Sequence, residues 1–274
     1  MVDTLEKFNV GILFANGGDG TLRGAQKIAQ EAKRRGKNIA VIGIPKTIDN
    51  DISCIDQSFG FLTAVTEART AIYSANMEAE GARNGIGLVK LMGRDSGFVS
   101  AFATLANSEA NYCLVPEVPF SLEGFLQNLK QRIETRGHAV IVVAEGAGQD
   151  LAADGGRDAS GNVRYGDIGI LLRDQIKAFF SEANLEVNLK YIDPSYTIRS
   201  MPANSYDSVL CLLLGQHAVH AGMTGRTKMV VGYWKNRLVH VPIDLAVAER
   251  KKIDPNGWLW NAVLEATGQP RKMI

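Results

Sequence analysis

The sequence has few cysteines, almost no net charge and no long apolar run, and each of these argues against a class of protein. The three cysteines lie far apart in no C-x-x-C pair, which argues against a disulfide framework and fits a reducing, cytoplasmic setting. Lys plus Arg total 30 against 29 for Asp plus Glu, so no overall field favours nucleic acid or an anionic membrane. Residues 1–9 are too polar for a signal peptide, and no run reaches the roughly 18 apolar residues of a membrane span. We therefore expect small-molecule ligands, with no nucleic-acid or membrane partner.

Short β-branched runs alternate with helical patterns along most of the chain. Strands are predicted at 10–15, 39–44, 86–92, 112–115, 139–144, 187–192, 228–233 and 238–241. Apolar residues three and four apart predict helices in 22–32, 61–72 and 209–218. This alternation indicates βαβ units, parallel sheet and an α/β fold. The glycine- and aspartate-rich stretch 146–166 is predicted to be a loop, to which we assign no chemistry.

A Gly-Gly-Asp-Gly-Thr loop, residues 17–21, follows the first predicted strand. It is neither a Walker A loop nor a dinucleotide fingerprint. Adjacent glycines and an aspartate at the end of a strand suit the binding of a phosphate and its metal ion. The alternative is an ordinary tight turn in which Thr21 caps the next helix.

A second acidic loop, residues 45–51, follows the second predicted strand and contains Lys46, Thr47, Asp49 and Asp51. The alternate carboxylates could divide two tasks, one lying near the metal and the other accepting a proton from an attacking hydroxyl. The alternative is an Asx-rich turn that caps the next helix. Lys46 could meet a phosphate or point into solvent.

Three further groups of polar residues follow apolar runs. Arg94 comes directly after Met92 and Gly93, where its planar donors could face phosphoryl oxygens, although a surface arginine is an equal alternative. Glu145 leaves the strand predicted at 139–144 and could bind a hydroxyl, or it could be an isolated surface carboxylate. The segment 190–199 has cations at both ends and could bind a distal phosphate.

With these blocks in place, the chain resembles the 6-phosphofructokinases, and the plant and protist branch more than the short bacterial enzymes. The resemblance is carried by residues 17–21, 45–51, 92–97 and 191–199. It implies two Rossmann-like α/β lobes with mainly parallel sheets and an active site in the cleft between them. The nucleotide-binding lobe would be 1–60 plus 199–248, and the sugar-phosphate-binding lobe 61–198 plus 249–274.

The resemblance also implies a reaction: transfer of a phosphoryl group from ATP to the C1 hydroxyl of fructose 6-phosphate, giving fructose 1,6-bisphosphate in glycolysis. By this resemblance the donor would be bound by Gly17, Gly18, Gly20, Thr21 and Lys46, and Mg²⁺ by Asp19. Thr47 would lie beside the transferred group, Asp49 would be the base with Asp51 next to it, and Arg94 would neutralise charge in the transition state. The sugar would be contacted by Met92, Gly93 and Glu145, and its 6-phosphate by Lys190, Tyr196 and Arg199. A cytoplasmic homo-oligomer, dimer or tetramer, would be expected of the full-length protein.

The identity of the donor depends on two positions. Pyrophosphate-using relatives commonly have an aspartate where this chain has Gly20, so Gly20 favours ATP. Lys46 is found in pyrophosphate enzymes, but the ATP-using plant and protist relatives combine it with the glycine. We therefore expect ATP, with pyrophosphate as the alternative.

The chain departs from the family in two ways. Gly85 stands where the short bacterial enzymes have an arginine that reaches a neighbouring subunit's sugar phosphate. The family's first strand and glycine-rich loop also have no counterpart, so the sequence resembles an N-terminally truncated member with its first strands missing. We expect such a chain to be a poor kinase or none, and its soluble fraction to bind fructose 6-phosphate more nearly normally than ATP. The remaining alternatives are an inactive sugar-phosphate-binding fragment and, more distantly, an NAD or lipid kinase.

Overall fold

The computed structural model describes residues 1–152 and 165–273. In chain order the elements are α1 (Val2–Lys7), β1 (Ile12–Gly17), α2 (Asp19–Arg34), β2 (Ala40–Pro45), α3 (Phe61–Glu80), β3 (Gly85–Leu91), α4 (Phe98–Leu105), β4 (Tyr112–Leu114), α5 (Leu122–Arg136), β5 (His138–Ala144), α6 (Gln149–Ala152), α7 (Ile168–Glu182), β6 (Asn188–Ile192), α8 (Ser195–Arg199), α9 (Ser205–Met223), β7 (Met229–Trp234), β8 (Arg237–Pro242), α10 (Ile243–Ala246) and α11 (Trp258–Thr267). The eight predicted strands are confirmed, with ends shifted by at most two residues. Part of the predicted loop 146–166, residues 153–164, lies outside the described residues.

The chain forms two compact units. The first contains Met1–Thr63 and Pro202–Lys251, and the second contains Ala64–Met201 and Lys252–Ile274. The chain therefore passes from one unit to the other three times. Within the described residues, no helix is both long and apolar enough to cross a membrane.

The first unit is built on a four-stranded sheet in the order β1-β2-β7-β8, in which only the β7–β8 pair is antiparallel. Successive side chains of a strand point to opposite faces. Val41 and Val230 accordingly pack in a cluster with α2 residues, whereas Ile42 and Val231 pack with α9 residues on the other face. Burial on both faces is typical of a parallel sheet covered by helices. In the described residues, β1 pairs with β2 and with no other strand.

The second unit contains a parallel four-stranded sheet in the order β4-β5-β3-β6. Its two central strands, β3 and β5, are almost wholly buried along their length. One face packs on a core with α5 and α7, in which Phe125, Ile141 and Ile176 are fully buried. The two sheets confirm the predicted α/β class with mainly parallel sheets.

The last segment of the first unit is joined to the loop that follows β2. The backbone N–H of Lys251 donates to the Asp51 carbonyl at 2.8 Å, and the Lys251 ammonium donates to the carbonyls of Ile55 and Asp56, both at 3.1 Å. Burial lowers the pKa of Lys251 to about 8, although Asp56 and Asp51 act in the opposite direction. The backbone N–H and the buried ammonium of Lys251 thus hold the acidic loop and the residues that follow it.

Replacing Lys251 with methionine should change how the stability of the chain depends on pH. Between pH 8 and about 10 the unfolded chain keeps the lysine proton while the folded chain loses it, so wild-type stability rises with pH in this window. From pH 7 to pH 10 the free energy of unfolding of wild type should therefore rise by about 2–3 kcal/mol relative to Lys251→Met. Denaturant titrations at both pH values measure the difference.

Lys27→Met is the matched control, because Lys27 is an exposed lysine of α2 and its loss should leave the pH dependence unchanged. A wild-type advantage over Lys251→Met that stays constant or shrinks with rising pH would contradict the lowered pKa.

Candidate active site

The predicted site residues form two groups, one in each unit. The first unit contains Gly17, Gly18, Asp19, Gly20, Thr21, Lys46, Thr47, Asp49 and Asp51. The second contains Met92, Gly93, Arg94, Glu145, Lys190, Tyr196 and Arg199.

The two loops of the first unit lie side by side because the strands before them are parallel and in register. Gly17, the last residue of β1, pairs with Pro45, the last residue of β2. The N–H of Lys46 then donates to the Gly17 carbonyl at 3.0 Å. A Cβ atom on Gly18 would lie 3.4 Å from the Thr47 Cβ. The glycine loop and the acidic loop therefore leave the sheet as neighbours, as their sequence positions predict.

The start of α2 differs from the prediction. The segment 17–21 is not a loop throughout, because α2 begins at Asp19 with Gly18 as the extended N-cap residue, so Gly20 and Thr21 belong to its first turn. The alternative in which Thr21 caps the helix is wrong. Gly17 is required sterically, since a Cβ there would lie 2.3 Å from the Thr21 Oγ1. The first N–H groups of this 16-residue helix receive no side-chain cap from Gly18, and such a helix start suits the binding of an anion.

Asp19 is the one predicted metal ligand, and it is held by two arginines. Its Oδ2 accepts a hydrogen bond from Arg23 Nε at 2.8 Å and lies 3.8 Å from Arg250 Nη2. Across the described residues there is no group of three or more His, Cys, Asp or Glu side chains that could form an all-protein metal cage. Mg²⁺ is commonly bound by one or two carboxylates together with substrate phosphates and water. A single carboxylate at the start of a helix, where phosphates can also bind, fits that ion.

The acidic loop is fixed by hydrogen bonds within itself and with the residues that follow it. Thr47 Oγ1 accepts the N–H of Asp49 at 3.2 Å, and Ser58 Oγ donates to the Thr47 carbonyl at 2.7 Å. Asn50 is buried in a left-handed conformation, with φ of 54°, and its amide donates to the Asp56 carbonyl at 3.1 Å. Because the next helix, α3, begins only at Phe61, the alternative of an Asx turn capping that helix is wrong.

Arg250 connects the two loops and was not singled out from the sequence. Its guanidinium lies 3.8 Å from the Asp51 carboxylate and 3.8 Å from the Asp19 carboxylate. Asp51 is only 6% exposed, so a cationic neighbour offsets part of the desolvation of its charge. No local motif marks Arg250, because its role depends on contacts with residues near the other end of the chain.

The second unit uses the same arrangement at the ends of β3 and β5. Leu91 pairs with Ala144, and directly beyond this pair the N–H of Glu145 donates to the Leu91 carbonyl at 2.9 Å. The N–H of Gly146 then donates to the Gly93 carbonyl at 3.0 Å. Gly93 has a φ of 126°, which favours glycine at that position. The turn after Met92 and the carboxylate of residue 145 thus lie next to each other.

Two residues that the sequence did not indicate support the Arg94 turn. The guanidinium of Arg94 lies 4.8 Å from the centroid of the Tyr165 ring, a cation–π geometry. The Glu117 carboxylate accepts the N–H of Gly97 at 3.0 Å and the N–H of Ile253 at 3.0 Å. The turn that contains Arg94 is therefore contacted by both Tyr165 and Glu117.

Glu145 lies among cations of the second unit. Burial raises the pKa of Glu145, while the charges of Arg94, Arg199 and Lys90 act in the opposite direction. Arg199 also donates from Nε to the Met92 Sδ at 3.3 Å. The structure thus brings Arg94, Glu145, Met92 and Arg199 into one neighbourhood.

Lys190 and Tyr196 are accessible rather than packed in that neighbourhood. Lys190 is an exposed residue of β6, paired with Gly87 of β3. Tyr196 is 88% exposed on α8. Both side chains are available to an incoming anion.

Comparisons with known proteins agree with this architecture. The phosphofructokinase family, under the description "Phosphofructokinase", matches residues 1–222 of the chain. The ATP-dependent 6-phosphofructokinase of Borreliella burgdorferi is 49% identical over 284 residues, covering 100% of this chain and 64% of that protein. The chloroplastic ATP-dependent 6-phosphofructokinase 5 of Arabidopsis thaliana is 47% identical, covering 98% of this chain and 51% of that protein. The Trypanosoma cruzi ATP-dependent 6-phosphofructokinase is 49% identical, covering 97% and 56%.

Plant and protist relatives are thus present, as the sequence motifs predict, and a bacterial one is equally similar. The chain spans between 51% and 64% of the length of these three relatives. Among solved structures, pyrophosphate-dependent phosphofructokinase from Marinobacter aquaeolei superposes with a TM-score of 0.77 at 20% identity, covering 97% of this chain and 69% of that one. Pichia pastoris phosphofructokinase in the T-state superposes with a TM-score of 0.70 at 21% identity, covering 97% and 29%. At such identities the superpositions establish the fold alone.

The adjoining loops and the two mainly parallel sheets agree with the match over residues 1–222 and with the relatives at nearly half identity. The chain belongs to the phosphofructokinase family.

Proposed function

We propose that this chain transfers the γ-phosphoryl group of ATP to the C1 hydroxyl of fructose 6-phosphate, giving fructose 1,6-bisphosphate. The relatives are named for the ATP-dependent 6-phosphofructokinase reaction, which is a step of glycolysis. From the resemblance we also propose a cytoplasmic homo-oligomer, a dimer or tetramer.

The observation that carries the proposal is the register of β1 with β2. Because Gly17 pairs with Pro45, the start of α2 and the carboxylates of the acidic loop are neighbours within one unit. Phosphoryl transfer needs little covalent help from the protein, and depends mostly on positioning the reactants and stabilising charge. A phosphate-facing helix start beside a fixed carboxylate supplies both requirements.

Asp49 is the proposed base. It would accept the proton of the C1 hydroxyl as that oxygen bonds to the γ-phosphorus and the bond to the departing ADP oxygen breaks. The Thr47 Oγ1 accepts the Asp49 N–H, which leaves the Thr47 hydroxyl hydrogen available for a phosphoryl oxygen. Asp51 would support the loop through Arg250.

Asp19 would hold Mg²⁺, which, when bound, neutralises charge on the donor phosphates. Lys46 would add a positive charge at the end of β2. Arg94 would stabilise charge that develops on the transferred group. These assignments combine the geometry within each unit with the roles that the family resemblance implies.

The proposed sugar-phosphate residues are all in the second unit. Met92, Gly93 and Glu145 would contact the sugar, and Lys190, Tyr196 and Arg199 would bind the 6-phosphate. The exposure of Lys190 and Tyr196 supports this, because both can be reached by a ligand. Arginine and lysine side chains are the usual partners of phosphate dianions.

The environment of Gly20 supports ATP as the donor. A Cβ atom at Gly20 would meet nothing within 4 Å, so packing does not require a glycine there. Glycine inside a helix is less favourable than alanine by about 1 kcal/mol, and room for a nucleotide phosphate is a functional reason to retain it.

A second candidate function is sugar-phosphate binding without turnover. It is favoured by the placement of all the proposed sugar-phosphate residues within one unit. Calorimetric titration with fructose 6-phosphate, paired with a turnover assay using ATP and pyrophosphate, separates the two. Binding without turnover would support this second function, and turnover would support the kinase.

Replacing Asp49 with asparagine should lower kcat by about 10² or more, because the C1 hydroxyl loses its proton acceptor. Fructose 6-phosphate binding, measured by calorimetry, should stay close to that of wild type. The matched control is Asp3→Asn, the same chemical change at an exposed position of α1 in the same unit. Turnover by Asp49→Asn equal to that of Asp3→Asn would contradict the assignment of the base.

Replacing Gly20 with aspartate should lower the ratio of kcat/KM for ATP to kcat/KM for pyrophosphate by about 10² or more, because the new carboxylate crowds and repels a nucleotide phosphate. Gly24→Asp is the matched control, since Gly24 also lies on α2 with open space around its Cβ position. Equal ratios in the two variants would contradict this role for residue 20. A wild-type chain that prefers pyrophosphate would contradict ATP as the donor.

A further inference from the structure

Lys90 is a nearly buried lysine that none of the roles above uses. It lies on β3, with its side chain 13% exposed. Its ammonium forms two ion pairs, at 2.9 Å with Asp167 Oδ2 and at 2.8 Å with Asp193 Oδ2. Tyr191 belongs to the same cluster, because its hydroxyl donates to Asp167 Oδ1 at 3.3 Å. We call these four residues the Lys90 cluster.

Both carboxylates of the Lys90 cluster fix the start of a helix. Asp167 is the N-cap of α7 and accepts the N–H groups of Gly169 and Ile170. Asp193 accepts the N–H of Ser195, the first residue of α8, at 3.1 Å. The Lys90 ammonium therefore joins β3 to the starts of two helices.

The Lys90–Asp193 pair continues the pairing of β3 with β6 at the point where the backbone ladder ends. The last paired residues are Val89 and Ile192. The next residue on each strand, Lys90 and Asp193, is joined by side chains instead of backbone. This contact decides the direction in which the chain leaves β6 and enters α8.

The other end of α8 contacts Met92, the residue just beyond β3. Arg199, the last residue of α8, donates to Met92 Sδ. Residues 90 and 92 are two apart, so their side chains point to the same side of an extended chain. Asp193 thus joins the start of α8 to Lys90, and Arg199 joins the end of α8 to Met92. Tyr196 lies between these two contacts along the helix.

The Lys90 ammonium stays charged and paired with the carboxylates of Asp167 and Asp193. Burial lowers the pKa of Lys90, but its hydrogen bonds to Asp193 and Asp167 raise the pKa above the usual range of lysine. Burial raises the pKa values of Asp167 and Asp193, but their hydrogen bonds with Lys90, together with those from Ile170 to Asp167 and from Ser195 to Asp193, lower both below the usual value. A buried ion pair stabilises little against an apolar substitute, but it fixes one geometry when both partners are hydrogen-bonded.

We propose that Lys90 is a positioning residue for phosphate recognition: through Asp193 it fixes α8, and thereby the placement of Tyr196 and Arg199 relative to Met92. This inference rests on the proposed sugar-phosphate role of the second unit. Lys90 acts through the helix and makes no contact with the ligand.

Lys90→Met is the first test, with fructose 6-phosphate as the calorimetric probe and the complete 274-residue chain as the protein. The dissociation constant should rise about tenfold, because α8 loses its attachment to Lys90 of β3 and keeps the one to Met92. Lys90→Arg, which keeps the charge and can bridge two carboxylates, should restore most of the affinity. Lys130→Met is the matched control, since Lys130 forms an exposed pair with Glu134 in the same unit.

Asp193→Asn distinguishes positioning from simple attraction between charges. The asparagine can still accept the N–H of Ser195, but the ion pair with Lys90 is lost. If α8 is positioned by that pair, fructose 6-phosphate should bind at least threefold more weakly. If Lys90 acts only through its electrostatic attraction for the ligand, removing the negative charge of Asp193 should make an anionic ligand bind more tightly. Glu134→Gln is the matched control for this change.

Thermal unfolding of each variant separates a local effect from loss of the fold. The inference is supported if Lys90→Met and Asp193→Asn both weaken binding while unfolding cooperatively. It is overturned if Asp193→Asn binds as well as or better than wild type, and this variant decides alone if Lys90→Met does not fold. A wild-type chain that binds no fructose 6-phosphate overturns the proposed function and this inference together. Binding by wild type with unchanged variants overturns the inference alone.

Discussion

Both groups of candidate residues depend on one constraint, which is that neighbouring parallel strands in register end at the same edge of their sheet. In the first unit the last pair is Gly17 with Pro45, and in the second it is Leu91 with Ala144. A backbone hydrogen bond directly beyond each pair, from Lys46 to Gly17 and from Glu145 to Leu91, extends the alignment into the loops. Functional side chains that are far apart in sequence therefore begin as spatial neighbours.

Pairing of opposite charges then allows carboxylates to be partly buried at those edges. Arg250 lies within 4 Å of two of them, Asp19 and Asp51, in the first unit. In the second unit Lys90 bridges two more, and Glu145 is surrounded by the charges of three cations. Isolated carboxylates in such places would shift toward their neutral form. The cations offset part of the cost of burying these carboxylates, and they also hold loops and helix starts in fixed positions.

Much of the fold could be predicted because its signals are local. Eight short apolar runs became the eight strands, and the periodic segments became α2, α3 and α9. The prediction that residues 17–21 form a loop throughout was wrong because strand pairing overrides local turn preference. The register with β2 keeps Gly17 in β1, and α2 begins after one further residue. The alternative of a helix-capping Thr21 is excluded for the same reason.

The sequence by itself determined the strands, the glycine and acidic loops that follow them, and the family to which those motifs belong. Only the tertiary structure decided which charges meet. Lys90 is one lysine among many in the sequence, and its partner Asp167 is 77 residues away. Arg250 and Lys251 meet the acidic loop only after the chain has passed through the second unit and returned. Coulomb attraction and hydrogen bonding depend on separation in space, which local sequence patterns do not encode, so these partners emerge only from the folded chain.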